Sequence, residues 1–85
     1  MQLKKLGNNE TQITQPNGYI VLYSYNTPVA VHHTASGQEW RTSKKWSSTT
    51  SKHLNKWCGP NAINVTQETL ESIIKDGYTQ ALNRE

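Results

Sequence analysis

Turn-forming residues divide the first 42 residues of the chain into five short runs that favour β-strands. The turn signals lie at 8–9, 16–18, 26–28 and 35–37, where asparagine, proline or glycine supplies the backbone conformations that turns need. The runs between them predict strands at about 2–6, 10–15, 18–25, 29–34 and 38–42. Because connections this short join antiparallel neighbours, we expect a twisted, mainly antiparallel sheet of five strands.

Helical spacing replaces the alternating pattern after residue 42. Leu54 and Trp57 lie three residues apart, several hydroxyl side chains before them can cap a helix, and Gly59-Pro60 follows as a stop signal. We therefore predict a short helix over about 50–58.

A second helix has a clearer start. Thr66 is the expected N-cap, because Val65 before it and Leu70 after it are placed for a hydrophobic staple. Apolar residues then continue at helical spacing, which predicts a helix over about 66–76. Residues 79–85 are expected to form a frayed tail.

These elements predict one small α+β domain over residues 1–85, with the sheet at 2–42 and both helices packed on one face of it. The core must be thin, because only 33% of the residues are hydrophobic and small domains bury a modest share of their surface. Large aromatic side chains then matter most, and we expect Trp40, Trp46 and Trp57 to be substantially buried. No apolar run is long enough to predict a membrane-spanning segment.

Basic residues concentrate in the segment 40–58. This segment holds five of the nine lysine and arginine residues and no acidic residue. The segment after it, 59–85, is richer in acids, so charge polarity runs along a chain whose net charge is +3. An excess of positive charge in one segment favours phosphate-bearing partners.

Hydroxyl side chains at the start of the first helix support the same interpretation. Together with free backbone N–H groups and nearby cations they form an environment that attracts phosphate, and an exposed Trp46 or Trp57 could stack on a base. The alternative is structural: the hydroxyls cap the helix, the tryptophans fill the core and the lysines are solvated. The candidate binding residues are Arg41, Lys44, Lys45, Thr49, Thr50, Lys52, His53 and Lys56.

Metal binding and catalysis have little support in the sequence. His32 and His33 are adjacent on one predicted strand, so their side chains point to opposite faces and cannot share a metal through ordinary strand geometry. Cys58 is the single cysteine and stands at a helix end that disfavours a thiolate. We therefore expect no cofactor, no metal site and no enzymatic activity.

Two motifs carry a resemblance to a known family. The segment 24–30 reads SYNTPVA, and the segment 46–53 reads WSSTTSKH. They resemble a strand-turn-strand motif and an aromatic-Ser-x-Thr-Thr-Ser-Lys/Arg-His motif in a family of small uncharacterised bacteriophage proteins. The resemblance implies a phage origin and a similar fold, and it implies no particular activity. We expect the protein to act in the cytoplasm of an infected bacterial host.

Two classes of function fit these observations. The first is a non-enzymatic phage accessory protein that binds nucleic acid or another phosphorylated ligand through the basic start of the first helix. The second is an inhibitor or modulator that binds a host protein, for example a defence nuclease or a polymerase, through surface complementarity. Lys4 and Lys5 could protect the edge of the first strand against pairing, and a homodimer through the other edge of the sheet is compatible with either function.

Overall fold

A computed structural model describes the backbone of residues 2–7, 9–16 and 18–82, and the side chains of these residues as far as Lys75. The described residues form one six-stranded sheet and two helices. In chain order the elements are β1 (Gln2–Gly7), β2 (Glu10–Thr14), β3 (Tyr19–Ser24), β4 (Thr27–His33), β5 (Gln38–Thr42), α1 (Ser48–Trp57), β6 (Ile63–Val65) and α2 (Gln67–Leu82). The strands lie in the sheet in the order in which they occur along the chain.

The five predicted strands are present and pair antiparallel with their neighbours. The prediction of five strands is wrong in one respect, because β6 adds a sixth strand that is parallel to β5 and makes the sheet mixed. β6 has only three residues, which is too short for an alternating pattern to mark it in the sequence. It reaches β5 because α1 carries the chain back along the sheet, as a connection between parallel strands requires.

The two helices pack on opposite faces of the sheet, which corrects the prediction that both cover one face. Val21 and Leu22 are adjacent on β3 and therefore point to opposite faces. Leu22 packs with Leu54 of α1, whereas Val21 packs with Leu70 of α2. All four side chains are at most 4% exposed. The domain consequently has three layers, with the sheet in the middle.

A β-bulge in β4 enlarges the core under α1. The pairing register between β3 and β4 shifts after the pair Leu22 and Ala30, so Val29 is an extra residue on its strand. Neighbours on a regular strand point apart, but the bulge lets Val29 and Ala30 join the same cluster with Leu54. The sheet thereby offers α1 a wider apolar surface.

Both helices begin at the kind of capping residue that their sequences indicate. Ser47 is the N-cap of α1, and its hydroxyl accepts a hydrogen bond from the Thr50 N–H at 3.1 Å. Thr66 caps α2 in the same way, accepting from the Thr69 N–H at 3.2 Å. Val65 packs against the cluster of buried side chains on the α2 face, as a hydrophobic staple predicts.

The helix boundaries differ from the predicted ones. α1 covers Ser48–Trp57 where we predicted about 50–58, and α2 covers Gln67–Leu82 where we predicted about 66–76. The segment 79–85, predicted as a frayed tail, is helical as far as Leu82, and 83–85 lie outside the described residues. In the part of the chain that the structure describes, neither helix is long and apolar enough to cross a bilayer.

The three tryptophans lie in different environments. Trp46 is 41% exposed, so the expectation that all three are substantially buried is wrong for this residue. Trp40 packs on the α2 side of the sheet. Trp57 packs on the α1 side, where its Nε1–H donates to Gln12 Oε1 at 3.0 Å. Trp46 directly precedes the N-cap of α1, which leaves a large aromatic surface available there.

We expect Leu70→Ala to lower the free energy of unfolding by about 2–5 kcal/mol, because it leaves a cavity between α2 and the sheet. Leu70 is 0% exposed, whereas Leu3 on β1 is 69% exposed. Leu3→Ala is the matched control and should change the free energy of unfolding by less than about 0.5 kcal/mol. Urea unfolding followed by circular dichroism measures both. Equal losses from the two variants would show that α2 is not packed on the sheet.

Candidate functional site

The predicted binding residues lie in three places around α1: beside the helix, between it and the sheet, and on its outer side. This helix turns Thr50 and Leu54 toward the sheet, where both are at most 4% exposed. Because a helix has 3.6 residues per turn, the residues between them lie on its flanks and its outer side. The structure divides the eight predicted residues into a groove set (Arg41, Lys44, Lys45), a buried set (Thr50 and the partly exposed His53) and an outer set (Thr49, Lys52, Lys56).

The groove set lines one depression of about 350 Å³ beside α1, here called the basic groove. Its other polar walls come from Thr42, Ser43 and Ser51, and from Asn64 on β6. Ser43 is held in place because its N–H donates to the Val65 carbonyl oxygen at 2.7 Å. The groove therefore lies at the carboxyl ends of the parallel strands β5 and β6, the edge at which open α/β sheets commonly bind ligands.

In the described part of the chain, no acid forms an ion pair with the cations of the basic groove. Among the residues that the structure describes, the two carboxylates that lie closest to a basic side chain both face a histidine, and neither faces a lysine or an arginine. Arg41 is half-buried and its guanidinium donates to Asn55 Oδ1 at 3.4 Å, while Lys44 and Lys45 are exposed. The positive charge is thus free to act on an anion from solvent.

The buried set belongs to a polar network under α1. Ser24 Oγ, at the end of β3, lies 2.9 Å from Thr50 Oγ1 and 2.9 Å from His53 Nδ1. His53 Nε2 lies 4.0 Å from Glu10 Oε1. At the other end, Ser47 Oγ donates to Thr50 Oγ1 at 3.2 Å. Ser24, Thr50 and Glu10 are each at most 4% exposed, so these groups are engaged inside the protein.

One direction of donation satisfies every hydroxyl in this network. Ser47 donates to Thr50, and Thr50 donates to Ser24. Ser24 then donates to Nδ1 of His53, which leaves the ring proton on Nε2, facing the Glu10 carboxylate. Hydrogen bonds aligned in this way polarise and strengthen one another. The network joins α1 to both β2 and β3.

The outer set faces solvent. Thr49, Lys52 and Lys56 are exposed, and the two lysines lie four residues apart on one side of α1. None of the three lines the basic groove as the structure describes it. They can extend a positive surface beyond the groove, but they do not shape it.

The prediction omits five polar residues that line the basic groove or bond to Arg41: Thr42, Ser43, Ser51, Asn55 and Asn64. Ser51 and Asn55 are four residues apart on α1, so helical spacing could have placed them on one flank. Asn64 could not be found this way. It enters the groove because β6 pairs with β5 and sets it opposite Arg41.

The histidines outside the network lie beside other polar side chains. His32 Nδ1 lies 3.2 Å from Glu39 Oε2, and His33 Nδ1 lies 2.9 Å from Ser36 Oγ. The part of the chain that the structure describes brings together no group of three or more histidine, cysteine, aspartate or glutamate side chains that could hold a metal ion.

Cys58 follows α1 and is partly buried against the cluster that contains Leu54. Burial raises the pKa of its thiol from 9.0 to about 11; the Arg41 guanidinium lowers this pKa somewhat, and the Glu39 carboxylate raises it further. The thiol is therefore protonated at neutral pH, and only the thiolate is a good nucleophile.

We expect iodoacetamide to alkylate Cys58 about 100-fold more slowly in the folded protein than in urea-unfolded protein at pH 8, because the raised pKa leaves less thiolate. The rate should rise about tenfold per pH unit and level off near pH 11. Mass spectrometry of the modified protein measures the rate. A plateau below pH 9 would reveal an activated thiol and contradict this interpretation.

Thr50→Val should lower the free energy of unfolding by about 1–3 kcal/mol, because it removes the hydroxyl that bonds to both Ser24 and Ser47 and leaves each serine with one hydrogen bond fewer. Thr49→Val is the matched control, since the neighbouring threonine is exposed and the same group is removed. Its effect should stay within about 0.5 kcal/mol. Urea unfolding compares the two variants, and similar losses would mean that the network does not hold α1 in place.

Residues 1–72 match one family model, described as "Family of unknown function (DUF8033)". The matched range includes the whole sheet, α1 and the residues of the basic groove. No curated protein and no solved structure matches the chain. The family match does not bear on a phage origin, which rests only on the motifs at 24–30 and 46–53.

Proposed function

We propose that this chain, which belongs to the DUF8033 family of unknown function, is a non-enzymatic protein that binds the phosphates of nucleic acid through the basic groove. The observation that carries the proposal is the convergence of Arg41, Lys44 and Lys45 on one groove, without an ion pair to any described carboxylate. Like charges held near one another repel, and an anion between them relieves that repulsion.

Neutral donors in the groove complement the cations. The hydroxyls of Ser43 and Ser51 and the amide of Asn64 line the same walls. The Arg41 guanidinium is planar and can donate to two phosphate oxygens at once, whereas a lysine acts as a flexible point charge. Contacts of this kind hold a sugar-phosphate backbone without reading sequence.

The start of α1 adds to the positive field. The first turn of this helix contains no acidic residue, so nothing opposes the positive end of the helix dipole. Lys52 and Lys56 on the outer side provide further charge for neighbouring phosphates, beside the exposed Thr49 hydroxyl. Thr50 and His53 support the site from beneath, because their polar side-chain atoms are bonded inside the network.

The biological setting that we propose follows from the phage-like motifs at 24–30 and 46–53. A small binder of nucleic acid suits an accessory role in the cytoplasm of an infected bacterium. The proposal contains no catalytic step, because the one cysteine thiol is protonated at neutral pH and the buried hydroxyls bond to one another.

Binding through three groove cations should weaken steeply with salt. For single-stranded nucleic acid the logarithm of affinity falls by about 0.7 per phosphate contact for each tenfold rise in salt, so three contacts predict a loss of about 18-fold between 50 and 200 mM. Fluorescence anisotropy of a labelled strand of about 12 nucleotides measures this loss. An affinity that changes less than about twofold over the range contradicts the proposal.

The double variant Lys44→Glu/Lys45→Glu tests whether binding depends on the basic groove itself or only on the net charge of the protein. It should weaken binding by more than about tenfold and flatten the salt dependence, because two phosphate contacts are lost. Lys4→Glu/Lys5→Glu is the matched control, since both lysines are exposed on β1 and the net charge changes equally. The control should stay within about threefold of the parent. Equal losses from the two double variants would show that the groove is not the site.

A second candidate function is binding of a host protein, and the free edge of β1 favours it. β1 is the first strand in the sheet order, so its outer backbone groups can pair with a strand from a partner or a second copy. Leu3 is 69% exposed and lines a recess of about 310 Å³ together with Ile13 and Tyr23. Because such an interface has an apolar centre, its affinity should depend little on salt, and the salt series distinguishes the two functions.

A further inference from the structure

We infer that a cavity next to the basic groove receives an unpaired base of the bound strand, so that the protein prefers single-stranded nucleic acid to duplex; this rests on the proposed function. The cavity has a volume of about 320 Å³, at the lower end of the range for small-molecule sites. Trp46 and Tyr25 form its aromatic walls and Val29 its apolar wall, and we call it the aromatic cavity.

The two aromatic walls are partly exposed, and the Lys44 Nζ lies over the ring of one of them, Trp46. Trp46 is 41% exposed and Tyr25 is 50% exposed, although large aromatic side chains in so small a domain are valuable in the core. Every base has a π-face, so stacking on such rings binds a single strand with little sequence preference. A base inside a duplex is already stacked and paired, and it must leave the helix to reach this position.

Among the residues that line the aromatic cavity, Ser24, Ser47 and Thr50 carry the hydroxyls that belong to the network under α1. Ser24 and Thr50 are only 2% and 3% exposed, so their positions are fixed by the network under α1. In the direction of donation assigned above, each hydroxyl uses its proton within the network and keeps one lone pair. These lone pairs can accept the N–H donors that every base carries on its pairing edge.

Tyr25 is held in an unfavourable backbone conformation. Its φ is 58°, in the left-handed region that glycine and asparagine adopt more readily than an aromatic residue. Half of the side chain is exposed, so burial does not offset this strain. Strained residues are concentrated at functional sites. A tyrosine at this turn is explained if its ring contacts a ligand in the aromatic cavity.

Lys44 connects the two sites. Its Nζ lies 4.0 Å from the centroid of the Trp46 ring, and the same side chain lines the basic groove. The loop 43–47 contributes Lys44 and Lys45 to the groove, and Trp46 and Ser47 to the aromatic cavity. A strand whose phosphates lie in the groove therefore has a base within reach of the cavity.

The test compares oligothymidine of about 12 nucleotides with an abasic strand of the same length, by anisotropy at 50 mM salt. We expect the base-bearing strand to bind at least about tenfold more tightly, and a blunt duplex to bind like the abasic strand. Trp46→Ala should reduce the affinity for oligothymidine to that for the abasic strand and leave the abasic affinity within about twofold. Ile63→Ala is the control, because Ile63 is similarly exposed, at 42%, and lies on β6.

The possible outcomes separate this inference from the proposed function. Equal affinities for the oligothymidine and abasic strands, both lowered by Lys44→Glu/Lys45→Glu, would show that the aromatic cavity binds no base. Phosphate binding in the basic groove would then still be supported. Binding of neither strand would overturn both. If Trp46→Ala and Ile63→Ala lowered the affinity for oligothymidine equally, this too would contradict binding of a base in the aromatic cavity.

Tyr25→Asn gives a readout that a structural role would not produce. Asparagine tolerates a positive φ, so the variant should be at least as stable to urea as the parent. We expect it nevertheless to bind oligothymidine at least about threefold more weakly, with the abasic affinity unchanged. A variant that is more stable and binds both strands as the parent does would overturn the assignment of Tyr25 to the cavity.

Discussion

The hydrogen-bonded hydroxyl of Ser24 fixes where α1 begins on the sheet, and both candidate sites lie beside that point. This hydroxyl is 2.9 Å from Thr50 Oγ1 and 2.9 Å from His53 Nδ1, in a region that is almost closed to water. Moving α1 would leave several buried polar groups without partners, at a cost larger than the contacts themselves contribute. The bulge at Val29 supplies the apolar surface on which the same helix rests.

The position of α1 gives its two flanks different chemistry. One flank meets the carboxyl ends of β5 and β6, where Arg41 and the loop lysines surround a polar groove. On the other side, the start of the helix meets the β3–β4 turn, where Trp46 and Tyr25 surround hydroxyls. In a single strand, every base lies close to a phosphate of the backbone. The basic groove and the aromatic cavity are likewise neighbours, because the loop 43–47 contributes side chains to both. The proposed preference for single strands follows from that arrangement.

Short sequence patterns predicted most of the strands and helices. The features that were missed depend on contacts between residues that are far apart in the sequence. Turn residues located five strands, and the Val65 staple marked the start of α2. The packing of the two helices on opposite faces of the sheet was not predicted, because the face that each helix covers depends on the path of the chain. β6 was missed because it is a strand only through its pairing with β5. Similarly, local charge indicated the groove lysines, whereas Tyr25 joins Trp46 only in the folded protein.

The most direct test is a titration of ¹⁵N-labelled protein with a single-stranded oligonucleotide, followed through the backbone amide chemical shifts. Phosphates in the basic groove and a base in the aromatic cavity predict the largest shift changes in the loop 43–47, the first turn of α1 and the β3–β4 turn at Tyr25. The amides of β1 should be unaffected, because this strand lines neither site. Changes confined to β1, or changes scattered over all exposed lysines, would contradict binding at the start of α1.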